Sequence, residues 1–248
     1  MSEEILKALE IRKFNLNFGG FEVQVSESII IMWIVMAFLI ISAFVLTRSM
    51  KAVPEGKQSI AEVYVEFVNN FAHNNMGHHY KVYAPYLGTV LLFLIIANII
   101  SIFNVFPSFE QLSTITGYDF LEKLPSLNMR PPTKDINITG CLAIISIFLV
   151  LVSSIRVKKV NGWLKTFAEP TPVMIPFRIL DYFVRPTALC FRLFGNIFGG
   201  FIIMELAYAS MAFAFPAVLS IYFDIFDGLL QAYIFVFLTA LYIAEAIE

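Results

Sequence analysis

The sequence predicts an all-α polytopic membrane protein with about five membrane helices and one amphipathic helix at the bilayer surface. Of its 248 residues, 58% are hydrophobic and only 15% are charged, and the mean hydropathy is +0.77. Apolar runs long enough to cross a bilayer recur along the chain. No polar stretch is long enough for a separate soluble domain. We therefore expect one membrane domain over residues 1–248.

The first span is predicted over residues 28–47. Ile29 to Leu46 is an uninterrupted apolar run, and Arg48 and Lys51 follow it. Because positive residues collect on the cytoplasmic side, this end should be cytoplasmic and the N-terminal segment 1–27 should lie outside. That segment has neither the basic start and cleavage site of a signal peptide nor the Arg- and Ser-rich composition of a transit peptide.

An amphipathic helix is predicted over residues 57–76, lying on the cytoplasmic membrane surface or against another helix. Gly77 ends the pattern. Three histidines follow or close this helix, but no nearby carboxylate or cysteine completes a metal-ligand set, so we interpret them as solvated interfacial side chains. The apolar positions are Ile60, Val63, Tyr64, Phe67, Val68 and Phe71, and the histidines are His73, His78 and His79.

The second and third spans are predicted over 84–106 and 136–155. The tyrosines at 80, 83 and 86 suit an interfacial aromatic belt before the second span, whose polar residues Asn98, Ser101 and Asn104 can hydrogen-bond between helices. Residues 107–135 form an external loop in this interpretation. The basic residues at 156, 158 and 159 place the end of the third span in the cytoplasm, in agreement with the first span.

The last two membrane segments are predicted over 174–213 and 217–247, with Pro216 near the turn between them. Both are long for helices perpendicular to the bilayer, so their length permits a steep tilt. Their polar residues argue against helices that face only lipid.

Arg192 lies in the middle of an otherwise apolar stretch. A guanidinium at the bilayer centre costs about 2.5–3.5 kcal/mol on insertion scales, and arginine does not lose its proton in proteins. Its helical face is formed by small residues, Ala188, Gly195, Asn196 and Gly199. Small residues allow a second helix to approach closely. The pattern therefore predicts that Arg192 meets a carboxylate of a partner subunit.

The other polar residues of the last two segments are carboxylates and one amide. Asp224, Asp227 and Gln231 stand at i, i+3 and i+7, which is one face of an α-helix. Glu205 follows Arg192 by thirteen residues, about 220° round the helix, so the two should not pair directly. If these acids lie on a different face from Arg192 and water reaches them, they would suit an ion path. Two alternatives remain: an in-chain partner for Arg192 among these acids, and mere solvation of the two aspartates.

Other classes of function find little support. The net charge is −2, no basic patch indicates nucleic-acid binding, and no GxxxxGK[ST] loop indicates a phosphate site. Cys141 and Cys190 stand alone in apolar runs, which gives neither a metal site nor a disulfide framework. We expect no cofactor, no metal and no enzymatic activity of the chain by itself.

Two stretches, RPTALCFRLFGN (Arg185 to Asn196) and LLQAYIFVFLTALYI (Leu229 to Ile243), resemble the signature stretches of subunit a of the F-type ATP synthase. The order of segments from about Ser26 onward is also similar, including PPTKDINIT before a span, so the resemblance covers roughly nine-tenths of the chain. It implies a stator subunit beside a rotating c-ring, with the last two helices forming a long tilted hairpin against that ring.

The resemblance assigns roles to five residues. Arg192 matches the essential arginine of the family, Asn196 the asparagine of the same motif, and Gln231 a glutamine close to the arginine. Asp224 falls where the family carries a titratable residue of the outer half-channel, and Asp181 matches an acidic position on the cytoplasmic side.

The sequence departs from the family at one position. Some members carry a glutamate nine residues after the arginine, where this chain has Phe201, and Glu205 one turn further on is our candidate replacement. Asp181 also has an alternative interpretation, because Arg178 and Arg185 are near enough in sequence to make it an ion-pair member.

The resemblance implies an ion-translocating subunit with two offset half-channels, separated by Arg192. Its expected partners are the c-ring, peripheral-stalk b subunits and the lipid bilayer, and its expected location is a bacterial plasma membrane with the N-terminus outside and the C-terminus in the cytoplasm. The choice between H⁺ and Na⁺ stays open. The rival functions are a self-contained secondary transporter, for which no internal repeat is visible, and a purely structural membrane subunit.

Overall fold

The computed structural model describes the residues 13–18, 21–48, 51, 56–100, 132–168, 175–210, 219 and 221–247. Most of the predicted loop over 107–135 lies outside these ranges, as do Ser101, Asn104 and the end of the predicted second span. Over the described residues, five helices are long and apolar enough to cross a membrane. The predicted all-α polytopic architecture is confirmed.

A β-hairpin precedes the first helix, which the sequence analysis did not foresee. Strand β1 (Lys13–Phe18) pairs antiparallel with β2 (Phe21–Ser26), with Lys13 opposite Ser26 and Phe18 opposite Phe21. The sequence signal was there, because apolar and polar residues alternate on both sides of a Gly-Gly pair. The segment is also rich in Glu, Lys and Asn, a composition that is as typical of an irregular surface segment as of a strand.

Helix α1 (Glu27–Thr47) follows β2 directly and stands at the edge of the bundle. Ile31 and Val35 are its buried residues, whereas large side chains such as Trp33 and Phe44 are exposed. Since its residues are apolar on all sides, the exposed faces suit contact with lipid or another subunit.

Helix α2 (Lys57–Met76) turns through Gly77–His79 into α3 (Tyr80–Ile99). Gly77 has a positive φ of 57°, which a glycine adopts without strain. The two helices pack closely, and the Tyr64 hydroxyl donates a hydrogen bond of 2.6 Å to the Gly88 carbonyl. The apolar side of α2 is divided: Val68 is buried against α3, whereas Ile60, Val63 and Phe67 are exposed.

Helix α4 (Ile136–Ala168) begins where the third span was predicted and continues well beyond 155. Lys159 interrupts it with a φ of 59°, which is uncommon for a residue with a side chain. The kink divides an apolar part from a more polar part, and it falls in the basic cluster that was predicted to mark the cytoplasmic end.

Helix α5 (Ile175–Ser210) packs along α4, and a π-helical segment (Ile221–Asp227) leads into α6 (Gly228–Ile247). Helix α6 is the centre of the bundle, because it contacts α2, α3, α4 and α5. Its buried residues Phe235, Val236, Ala240 and Ile243 join the core. The predicted tilt of α5 and α6 along a c-ring stays a prediction.

Candidate functional site

Arg192 lies on the exposed side of α5. Leu189, three residues before it, and Leu193, directly after it, are buried at 1% and 0% exposure, so the core lies beside the face that carries Arg192, about 60–100° round the helix. Among the side chains that the structure describes, none forms an ion pair with Arg192. This includes Asp227, one of the three acids considered as an in-chain partner.

Two of the predicted site residues lie outside the described side chains. The backbone of Glu205 belongs to α5 and that of Asp224 to the π-helix. The proposed replacement of the acid missing at Phe201, and the two remaining in-chain partners for Arg192, therefore stay predictions.

The small-residue face beside Arg192 is open. Ala188, Gly195 and Asn196 are exposed, and Gly199 is half-buried. A Cβ atom built at Gly195 or Gly199 would meet nothing within 4 Å. Because these glycines pack against no side chain of the described structure, the packing of the described residues does not explain why these positions are small.

A hydrogen bond joins α5 to α6 one turn after the arginine. Asn196 Nδ2 donates to Gln231 Oε1 at 2.8 Å, so two of the predicted site residues are in contact. Gln231 is 1% exposed, and its Nε2 atom has no hydrogen-bond partner among the described residues. A buried donor left without an acceptor is costly and rare in folded proteins.

Two turns before Arg192, Arg185 makes the ionic contacts that the structure describes on α5. Its Nη1 and Nη2 atoms donate to the two carboxylate oxygens of Glu245, both at 2.8 Å, and its guanidinium lies 4.9 Å from the centre of the Tyr242 ring. Asp181 is exposed and stands 3.6 Å from Arg185 Nη2. The ion-pair alternative for Asp181 thus has a structural basis, but Glu245 holds the shorter contacts.

Glu245 is a residue that the sequence analysis missed. Its only signal was an acidic residue in the last turn of an apolar helix, which is also how a solvated chain end looks. The pairing depends on α5 and α6 lying side by side, sixty residues apart in sequence.

The two aspartates before α6 lie in a widened helical turn. Asp227 is half-buried at the end of the π-helix, and Gln231 lies in α6. The expectation of one shared face assumed 100° per residue, whereas a π-helix has more residues per turn and shifts that alignment.

A buried polar network holds Gly228, where the π-helix meets α6. Asn98 Nδ2 donates to the Gly228 carbonyl at 2.9 Å, and Thr133 Oγ1 donates to Asn98 Oδ1 at 2.8 Å. Asn98 therefore hydrogen-bonds between helices, as its position in an apolar span suggested. Among the described residues, no group of three or more His, Cys, Asp or Glu side chains could hold a metal ion.

Comparison with known proteins decides the family. The sequence model described as the ATP synthase A chain matches residues 29–244. The chain belongs to the ATP synthase subunit a family. A curated relative is the sodium ion specific ATP synthase subunit a of Propionigenium modestum, which is 35% identical over 229 residues, or 92% of this chain and 76% of the relative.

Membership of the subunit a family confirms the resemblance seen in the two motifs. This is a multi-pass membrane protein of an ion-translocating F-type ATP synthase, and it works with the c-ring. Nucleotide chemistry resides in other subunits of that enzyme. A self-contained secondary transporter is therefore no longer an alternative.

Proposed function

We propose that this subunit carries ions to and from the c-ring through two offset half-channels, with Arg192 as the electrostatic barrier between them. The observation that supports this most strongly is the position of Arg192. It is an exposed cation in an apolar helix, without an ion-pair partner among the described side chains, beside glycines that pack against none of the described residues. Such a surface fits a rotor helix with a carboxylate.

Ions would enter through an outer half-channel lined by Glu205, Asp224 and Gln231, load a c-ring carboxylate, and travel round with it. They would leave through a cytoplasmic half-channel near Asp181. Asn196 would orient the Gln231 amide, so that its unsatisfied Nε2 faces water or the rotor carboxylate. Arg192 would attract the ionised carboxylate and repel a cation that crosses directly between the half-channels.

A rotor is needed for an energetic reason. A unit charge that crosses ~200 mV releases roughly 4.6 kcal/mol, which is too little for one phosphoanhydride bond, so several ions must be collected. The subunit lies in a bacterial plasma membrane with its C-terminus in the cytoplasm in this proposal. The peripheral-stalk b subunits anchor it there.

The test is Arg192→Ala in the assembled complex, reconstituted in sealed vesicles. We expect ion-driven ATP synthesis to be lost and passive ion leak through the membrane sector to be kept or increased, because the barrier charge is gone. ATP synthesis and ion leak are measured under an H⁺ gradient and under a Na⁺ gradient, since the Propionigenium relative is named as sodium ion specific.

The matched control is Arg156→Ala, which removes an exposed arginine of the basic cluster on α4. It should leave synthesis unchanged. If synthesis survived in the Arg192→Ala complex, the arginine would have a structural role and the ion path would have to be redrawn without it.

A further inference from the structure

A groove of about 930 Å³ lies between α1, α3 and α4, along the end at which α1 and α4 begin. Its walls are almost entirely aliphatic or aromatic. Met36, Ile40 and Ile145 line it and are also exposed, so the groove opens on the outer surface of the helices. In a membrane, an opening of this kind faces lipid tails rather than water.

One end of the groove is polar. Ser26, Asp135 and Asn137 lie there, at the starts of α1 and α4. Ser26 Oγ is buried and has no hydrogen-bond partner among the described residues. Asp135 is 4% exposed, and its Oδ1 accepts hydrogen bonds from the Asn137 backbone N–H and Nδ2 at 3.0 and 2.9 Å. The groove is thus apolar along its length and carries an anionic group and an unsatisfied hydroxyl at its end.

We propose that this groove binds a phospholipid whose headgroup carries an ammonium group, as in phosphatidylethanolamine. An acyl chain fills the apolar part, the ammonium group pairs with the Asp135 carboxylate, and the Ser26 hydroxyl donates to a phosphate or ester oxygen. Asp135 is the charged residue that lines the described groove, so an anionic headgroup without a cation meets like charge there.

The lining favours a lipid over a protein helix, because an apolar wall that ends in one carboxylate and one unsatisfied hydroxyl matches an acyl chain joined to a polar headgroup. This inference is independent of the ion path, because none of the proposed path residues lines the groove.

The experiment uses the assembled complex in vesicles that contain equal amounts of phosphatidylethanolamine and phosphatidylglycerol. In one sample the phosphatidylethanolamine carries a diazirine on its acyl chain, and in the other the phosphatidylglycerol carries it. After irradiation, adducts are mapped on peptides of this subunit. We expect adducts on the groove-lining parts of 29–40 and 138–145, with the ethanolamine probe favoured by about fivefold. Asp135→Asn should keep the adducts but remove the preference, since asparagine still caps α4.

Neighbouring positions on α4 provide the matched control. Ile144 and Ile145 are both exposed, but only Ile145 lines the groove. Ile145→Trp should strongly reduce the adducts, and Ile144→Trp should leave them unchanged. Equal labelling by the two headgroups in the unmodified complex, or equal effects of the two tryptophans, would overturn the proposal.

Cys141 allows a direct search for a different occupant, because it is exposed and lines the groove. A photoreactive maleimide attached there should cross-link to lipid. If it captured another subunit, a second copy of this chain or another stretch of the same chain in most complexes, the lipid proposal would be wrong.

Discussion

Gln231 is a buried amide that the described residues satisfy only in part. Its Oε1 accepts a hydrogen bond from Asn196, while its Nε2 has no acceptor among the described residues. Leaving such a donor unsatisfied costs about 1–3 kcal/mol, which a protein keeps only for a reason. Since Asn196 follows Arg192 by one turn, we infer that the missing acceptor comes with the water or the carboxylate that Arg192 meets in the working complex.

Gln231→Leu should therefore impair ion transport more than folding. Leucine places an apolar side chain of similar size in the buried position. Asn196 is exposed, so its side-chain amide can hydrogen-bond with water once the Gln231 acceptor is gone. We expect about a tenfold lower rate of ion-driven ATP synthesis, which corresponds to roughly 1.4 kcal/mol, at an unchanged amount of assembled subunit. Vesicle synthesis assays and immunoblots measure the two quantities.

Thr239→Val is the control on the same helix. Thr239 is also buried, but among the described residues its hydroxyl donates within α6, to the Phe235 carbonyl at 2.9 Å. Its loss should change synthesis by less than about twofold. A full rate in the Gln231→Leu complex would remove the Asn196–Gln231 pair from the ion path.

At the scale of elements, the junction between the π-helix and α6 is held by close backbone approach. A Cβ atom at Gly228 would lie 3.0 Å from the Asn98 Cβ, and Asn98 also binds the Gly228 carbonyl. π-Helical turns are frequent at functional sites, and this one carries Asp224 and Asp227. The glycine thus sets where the acids stand relative to α3.

Gly228→Ala and Gly195→Ala should impair different properties of the subunit. At Gly228 the new methyl group clashes with Asn98, which should cost about 1–3 kcal/mol and lower the amount of subunit in the membrane. At Gly195 the methyl group meets nothing in the described chain, so the amount should be normal while ATP synthesis falls, because the face that we assign to the c-ring is obstructed. Full synthesis in the Gly195→Ala complex would contradict that assignment.

At the scale of the whole molecule, the bundle has a central helix and a peripheral one. Helix α6 contacts four other helices, whereas α1 buries little of its apolar surface. The exposed surface of α1 and the open face of α5 belong to different helices, and we propose that the c-ring contacts α5 while lipid or stalk subunits contact α1. The basic residues after α1 and within α4 predict that both of these ends are cytoplasmic.

Labelling with a membrane-impermeant maleimide tests this orientation. In a Cys141→Ala, Cys190→Ala background, Ser2→Cys should react in intact cells, and Glu248→Cys should react only in inside-out vesicles, because the first end is predicted outside and the last in the cytoplasm. The cysteine-free background is the control for labelling of other proteins. The reverse pattern would invert the orientation and exchange the two half-channels.

The number of spanning helices could be predicted from the sequence because apolar length follows directly from bilayer thickness. The hairpin at 13–26 was missed although its alternating pattern was present, and the kink at Lys159 was missed because nothing in the basic cluster indicates a positive φ. Asp224 and Asp227 were assigned to one α-helical face, and the π-helix could not be foreseen because its widened turn leaves no distinct periodicity in so short a segment.

The sequence by itself determined the fold class, the family and the anomaly of Arg192, because hydropathy, motif order and a charge in an apolar run are local properties of the chain. The tertiary structure decided which polar groups meet. Asn196 with Gln231, Arg185 with Glu245 and Asn98 with the Gly228 carbonyl are contacts across thirty-five, sixty and one hundred and thirty residues. Such pairs depend on how helices pack and rotate against one another, and helical periodicity specifies a face but not the neighbour that this face will find.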